Sequence, residues 1–197
     1  MKMNLANKLT MLRVLLIPVY LVLWHLDVSW NHYAALGVFI LASLTDFLDG
    51  HIARSRGLIT DFLDGHIARS RGLVTDFGKF MDPLADKVLV VTAMVCFCAM
   101  GRFPAWALSI VIFREFAVSG LRLIAVEGGK VIAAGWSGKV KTASTMVCLC
   151  LMHLWGVPYS APNYLDWACV AVIVATTVYS GVEYFITNKE CIDWSNI

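Results

Sequence analysis

Six apolar runs, each a candidate membrane span, constrain this chain more than any other feature. A membrane helix needs about 20 largely apolar residues, and runs of this kind occupy residues 9–25, 32–44, 77–100, 103–126, 142–157 and 164–187. The second is clearly apolar only through Leu44, and the fourth is interrupted by Arg114, Glu115 and Arg122. Strand-type alternation is absent, so the runs are expected to be helices, which satisfy their own backbone groups in lipid. Of the 197 residues, 59% are hydrophobic and 15% charged, and a soluble domain of that makeup would expose too much apolar surface. The expectation is an all-α integral membrane bundle of six transmembrane helices, one domain over residues 1–197.

Basic residues orient the bundle, because cytoplasmic loops carry the excess of Lys and Arg. Lys2 and Lys8 precede the first run, and Arg54, Arg56, Arg69, Arg71 and Lys79 separate the second from the third. Lys130, Lys139 and Lys141 separate the fourth from the fifth, and Lys189 follows the sixth, whereas the opposite loops hold only Arg102. Both termini are therefore expected in the cytoplasm. Trp24, Trp30, Trp106, Trp155 and Trp167 fall near the opposite boundary, as an aromatic belt would. The first run contains Arg13 and Pro18 and lacks a small-residue cleavage site, so it reads as an anchor rather than a signal peptide. Five of the six cysteines lie inside apolar runs and read as small buried apolar residues, not as ligands or disulfides. The five histidines read as polar or interfacial. No nucleic-acid partner is expected.

Residues 45–58 read TDFLDGHIARSRGL, and residues 60–73 repeat them letter for letter. Solenoid repeats drift and come three or more at a time, so two identical copies indicate a tandem duplication spanning 45–74.

The duplicated segment carries carboxylates at helical spacing. In the second copy Asp61 and Asp64 are three apart, and downstream Asp82 and Asp86 are four apart, so each pair shares a helix face. Four carboxylates at the cytoplasmic ends of membrane helices are costly unless a cation joins them. Hard oxygen ligands favour Mg²⁺ or Mn²⁺, and a pair of such ions can clamp a pyrophosphate. Gly65, Ala68 and Gly78 lack bulk and permit close approach of a ligand or helix. Taken singly, each Asp suits a solvated loop or a helix cap. The full spacing D-x2-D-G-x2-A-R-x8-G-x3-D-x3-D, met from Asp61 to Asp86, does not arise readily by chance.

That pattern resembles the CDP-alcohol phosphotransferase family, position for position. The resemblance implies a six-helix membrane fold, a homodimer, and two Mg²⁺ or Mn²⁺ ions at the cytosolic face of the cell (inner) membrane. It implies that a hydroxyl attacks the β-phosphate of a CDP-linked lipid, CDP-diacylglycerol, and that CMP leaves. The family's aspartates would hold the metals, and the fourth, Asp86, would also act as the base on the incoming hydroxyl. Gly50, Ala53 and Arg54 of the first copy, Gly65, Ala68 and Arg69 of the second, and Gly78 are the candidate contacts to the CDP-lipid.

The acceptor is read elsewhere. Arg114 and Arg122 lie near the cytosolic half of a membrane helix and need anionic partners. Glu115 is a candidate partner for either, and a phosphate is the other, which the planar fork of Arg suits. Lys139 and Lys141 read either as loop charges or as further phosphate contacts. The blocks Arg114-Glu115-Phe116, Ser119-Gly120-Leu121-Arg122 and Gly138-Lys139-Val140-Lys141-Thr142 are similar to those of phosphatidylglycerophosphate synthases, as are Asn7-Lys8-Leu9-Thr10, Arg13 and Pro18. Thr145 departs from that subfamily, where Gln is expected. The resemblance implies glycerol 3-phosphate as acceptor, bound through Arg114, Arg122, Lys139 and Lys141. Other acceptors, a divalent-cation transporter and a catalytically dead scaffold are the alternatives. The transporter fits less well, because its ligands belong near the midplane of inverted repeats.

Both copies of the repeat cannot line one site, since 15 residues of helix separate them by roughly 60° and about 22 Å. Loop spacing favours the second copy, because only Arg69 precedes Gly78 by the expected interval. Membrane placement favours the first: ending the helix at Asp61 would drive Asp46, Asp49, Arg54 and Arg56 into lipid, at about 2.5–3.5 kcal/mol each. Extruding a longer loop costs only about 0.6 kcal/mol per doubling. The expectation is that Asp46 and Asp49 pair with Asp82 and Asp86, with Asp61 and Asp64 in their place as the alternative.

Overall fold

The structure is a computed structural model that describes residues 5–28, 30–60, 76–127, 135–155 and 163–189, with side chains described for 11–28, 30–45, 87–125, 135–155 and 163–189. Six helices and no strand occur among the described residues: α1 (Leu5–His25), α2 (Asn31–Thr60), α3 (Asp76–Ala99), α4 (Ala105–Glu127), α5 (Trp136–Leu154) and α6 (Tyr164–Thr187). All six follow the apolar runs, and α6 matches its run at both ends. Helix α2 departs most, continuing from the apolar limit at Leu44 through the whole first copy of the repeat to Thr60. Among the described residues, α6 is the one helix long and apolar enough to cross a membrane, with shorter apolar stretches at Met11–His25, Asn31–Thr45 and Lys87–Ala99. Helices α4 and α5 carry their charged residues inside the helix, which shortens their continuous apolar stretches.

The chain forms two compact units, Met1–Ala93 and Met94–Ile197. In the first, α1 packs against α2. Tyr20 stacks on Trp24 with ring centroids 5.8 Å apart and tilts against Phe39 at 6.4 Å. The connection is closed by Asn31, whose amide donates to the carbonyls of Trp24 (3.1 Å) and Leu26 (2.9 Å) and so satisfies backbone acceptors left over at the end of α1. Trp24 is therefore not part of an aromatic belt: it is buried, with His32 edge-on at 4.7 Å. Trp30, Trp106, Trp155 and Trp167 are exposed.

In the second unit α6 packs against both α4 and α5. Helix α3 ends at a glycine turn in which Gly101, at φ +71°, lets Arg102 and Phe103 donate to the carbonyl of Phe97. That turn aims Arg102 into the protein. Its Nε donates to Asp166 Oδ2 at 3.0 Å, and its Nη2 donates to Asp166 Oδ1 at 2.6 Å and to the Met152 carbonyl at 2.9 Å. Asp166 also closes a capping box with Asn163 at the start of α6. Arg102 thus ties the turn after α3 to the beginning of α6 by a buried ion pair and to the end of α5 by a hydrogen bond, and its guanidinium lies over the Phe97 ring. His153 is buried beside it, bonded to the Leu149 carbonyl and edge-on to Phe97.

Candidate functional site

The carboxylate motif falls on two helices. Helix α2 carries Asp46, Asp49, Gly50, Ala53 and Arg54, and helix α3 carries Gly78, Asp82 and Asp86, all on helical backbone. Their side chains, and Asp61, Asp64, Gly65, Ala68 and Arg69 altogether, lie outside the described residues. Helical backbone at 46–49 and at 82–86 puts each pair of aspartates on one face of its helix. Carboxylate oxygens are hard donors, a chemistry that suits Mg²⁺ or Mn²⁺ better than a softer metal. Among the residues whose side chains are described, no three His, Cys, Asp or Glu come together as a metal site.

The cations of the second unit are described in full. Lys141 on α5 is buried and donates from Nζ to Glu115 Oε1 at 2.5 Å. Arg114 on α4 donates from Nη1 to the same oxygen at 3.2 Å. Glu115 therefore joins Arg114 to Lys141, whereas the sequence left its partner open between Arg114 and Arg122. The Arg114 side chain is only 13% exposed, and its buried Nε has no hydrogen-bond partner among the described residues. A guanidinium has five N–H donors, so this one retains capacity for an anion.

The remaining two predicted cations point elsewhere. Arg122 donates from Nε to the Tyr184 hydroxyl at 3.0 Å and lies over the Tyr184 ring. Lys139 is exposed and sits 5.6 Å from the centroid of the Trp136 ring. Lys139 and Lys141 are two residues apart on one helix, so they leave it on nearly opposite sides. The structure brings Arg114 and Lys141 together through Glu115, and brings neither Arg122 nor Lys139 into that ion-paired group.

Three contributors escaped the sequence. Tyr184 is an aromatic in an apolar run, with no local mark of its bond to Arg122. Gly181 lies against the stem of Arg114, and a small residue in a membrane helix carries no signal of that. Asp166 could have been found, because Asn163-x-x-Asp166 before an apolar run is a capping-box pattern.

Residues 3–62 and 55–179 match the family model for CDP-alcohol phosphatidyltransferase. The chain belongs to this family. The two matched segments overlap between residues 55 and 62, across the junction of the duplicated copies. The CDP-diacylglycerol–glycerol-3-phosphate 3-phosphatidyltransferase of Bacillus subtilis is 37% identical over 207 aligned positions, covering 98% of this chain and 99% of the relative. Proteins of the same name from Escherichia coli K12 and Shigella flexneri are each 35% identical over 190 positions, covering 93% of this chain and 94% of theirs.

Proposed function

We propose that this chain transfers a phosphatidyl group from CDP-diacylglycerol to glycerol 3-phosphate, giving phosphatidylglycerophosphate and CMP in phospholipid biosynthesis. The observation that carries this reading is the likeness, over nearly the whole of both chains, to relatives whose names state that reaction. The acceptor is supported by Arg114 and Lys141, two cations from different helices held on one carboxylate oxygen, with N–H capacity left on the guanidinium. A phosphate-bearing acceptor suits such a pair, and an uncharged one would leave it without use.

The protein acts in a bilayer on this reading, as six transmembrane helices with both termini and the active site on the cytoplasmic side, and as a homodimer. Exposed Phe113, Phe116, Leu123 and Ile186 suit contact with lipid tails. Asp46, Asp49, Asp82 and Asp86 would hold the divalent ions, which when bound neutralise the pyrophosphate of the CDP-lipid. Gly50, Ala53, Arg54 and Gly78 border the CDP-lipid, and Arg114 and Lys141 fix the acceptor phosphate, with Arg122 and Lys139 adding positive charge nearby. Asp86 accepts the proton of the acceptor hydroxyl as that oxygen attacks the β-phosphorus. The new P–O bond replaces the pyrophosphate bond, and CMP departs with the electron pair.

The test is CMP release by the purified protein with CDP-diacylglycerol and Mg²⁺ or Mn²⁺, glycerol 3-phosphate present or omitted. Release that requires both metal and glycerol 3-phosphate is expected. Release that proceeds equally with serine or inositol phosphate would overturn the acceptor. No release from this chain, with release after one 15-residue copy is removed, would make the chain a disabled member of the family.

A further inference from the structure

We propose that Gly181 is a positioning residue for acceptor recognition: it seats Arg114 at the depth where its guanidinium meets the acceptor phosphate. The inference rests on the reading of Arg114 given above. Gly181 lies well inside α6, where glycine is a poor helix former compared with alanine. Its backbone does not require glycine, because the only positive-φ glycine among the described residues is Gly101. The reason is spatial. A Cβ at Gly181 would stand 3.2 Å from Arg114 Cγ, inside ordinary contact distance.

The atom that a methyl group would meet decides the consequence. Cγ belongs to the stem of Arg114, whose far end is bound to Glu115 and whose Nε is buried. The stem cannot swing aside without carrying the guanidinium with it. A Cβ at Gly138 would stand 3.7 Å from Arg114 Nη2, so α5 lies against the fork while α6 lies against the stem. Two glycines on two helices thus lie close to one arginine, and of the two only Gly181 is near enough that an added Cβ would make the arginine give by a few tenths of an ångström. By contrast a Cβ at Gly37 would meet nothing within 4 Å.

The experiment compares Gly181→Ala, Arg114→Lys, the double variant and Gly37→Ala in the full-length enzyme with Mg²⁺ or Mn²⁺. It measures KM for each substrate, kcat and the melting temperature. Gly181→Ala is expected to raise KM for glycerol 3-phosphate about tenfold, since displacements below 1 Å in a positioning group have effects of this order. KM for CDP-diacylglycerol should stay unchanged, and the melting temperature should change little, because the better helix propensity of alanine offsets the strain of the close contact. Gly37→Ala should change neither KM. In the double variant, Gly181→Ala should add little to Arg114→Lys, because the two share one function.

An unchanged KM for glycerol 3-phosphate in Gly181→Ala, or a lowered melting temperature with both KM values raised, would overturn the proposal and leave Gly181 a packing residue. If Arg114→Lys and Arg114→Gln leave that KM unaltered, the acceptor reading itself fails. If they raise it and Gly181→Ala does not, only the present inference fails.

Discussion

Replacing Asp166 by alanine should be among the most damaging single changes in the second unit. Arg102 and Asp166 are 2% and 1% exposed and share two hydrogen bonds, at 2.6 and 3.0 Å. Without the carboxylate, Arg102 keeps the Met152 carbonyl as hydrogen-bond acceptor and loses its counter-charge. Leaving a buried charge uncompensated costs about 3–5 kcal/mol. The backbone N–H of Asn163 also loses its acceptor on Asp166, which adds about 1 kcal/mol. For a chain of this size each kcal/mol moves Tm by about 2–4 °C, so a fall of roughly 8–24 °C follows. The thiols of Cys96, Cys148 and Cys169 are buried and those of Cys98 and Cys150 half-buried, so the rise in labelling by a thiol-reactive fluorophore on heating provides the assay. Arg102→Met combined with Asp166→Leu removes both charges and should recover most of the loss. A melting temperature for Asp166→Ala within 2 °C of the parent would refute the account of a charge held by its partner.

Other outcomes follow from the same physical terms. Thr177 is fully buried and its Oγ1 has no hydrogen-bond partner among the described residues, so Thr177→Val should stabilise by about 1 kcal/mol and raise Tm by a few degrees in the thiol assay. Chelation with EDTA should abolish CMP release, and Mg²⁺ or Mn²⁺ should restore it; full activity in EDTA would remove the metal from the mechanism. Asp46→Ala should lower CMP release by roughly 10²-fold or more while Asp61→Ala retains it, because a metal clamp contributes several kcal/mol; the reverse pattern would put the second copy in the site. Deleting residues 60–74 should leave CMP release at or above the parent rate, and a loss of activity would mean that the second copy is needed.

Helices were legible where apolar content and helix length coincide. The run at 164–187 became α6 at Tyr164–Thr187, and the run at 77–100 became α3 at Asp76–Ala99. Hydropathy failed where a helix continues past its apolar part. Helix α2 runs on to Thr60 through a polar segment, and α5 begins at Trp136, ahead of Lys139 and Lys141, not at residue 142. Charge in an apolar setting marked Arg114 and the Gly138–Thr142 block marked Lys141, but neither signal showed their common partner. Sequence spacing alone left Glu115 open to either arginine of α4, whereas the packed helices bring it to Arg114 and to Lys141 on a different helix. Arg102 read as an isolated loop charge because its partner Asp166 is 64 residues away. No local pattern can announce a pairing at that separation.

The length of α2 bears on which copy of the repeat serves the site. Measured from Asn31 at about 1.5 Å per residue, Asp46 and Asp49 lie about 22 and 27 Å along the helix. Measured from Ala99, the opposite end of α3, Asp86 and Asp82 lie about 20 and 26 Å along theirs. On the proposed topology both starting points belong to the outer boundary of a hydrocarbon layer about 30 Å thick. The four carboxylates then stand at matching depths, near the cytoplasmic edge, where a charged cluster with bound cations is least costly. Continuing α2 to Asp61 would place that carboxylate about 45 Å from Asn31, well outside the layer and out of register with α3. Sliding α2 outward to correct this would carry Asp27 and Asn31 beyond the opposite boundary and pull Asp46, Asp49 and Arg54 into lipid. On that topology the first copy would meet the register without any such shift, which is why the outcome of Asp46→Ala against Asp61→Ala discriminates between the two.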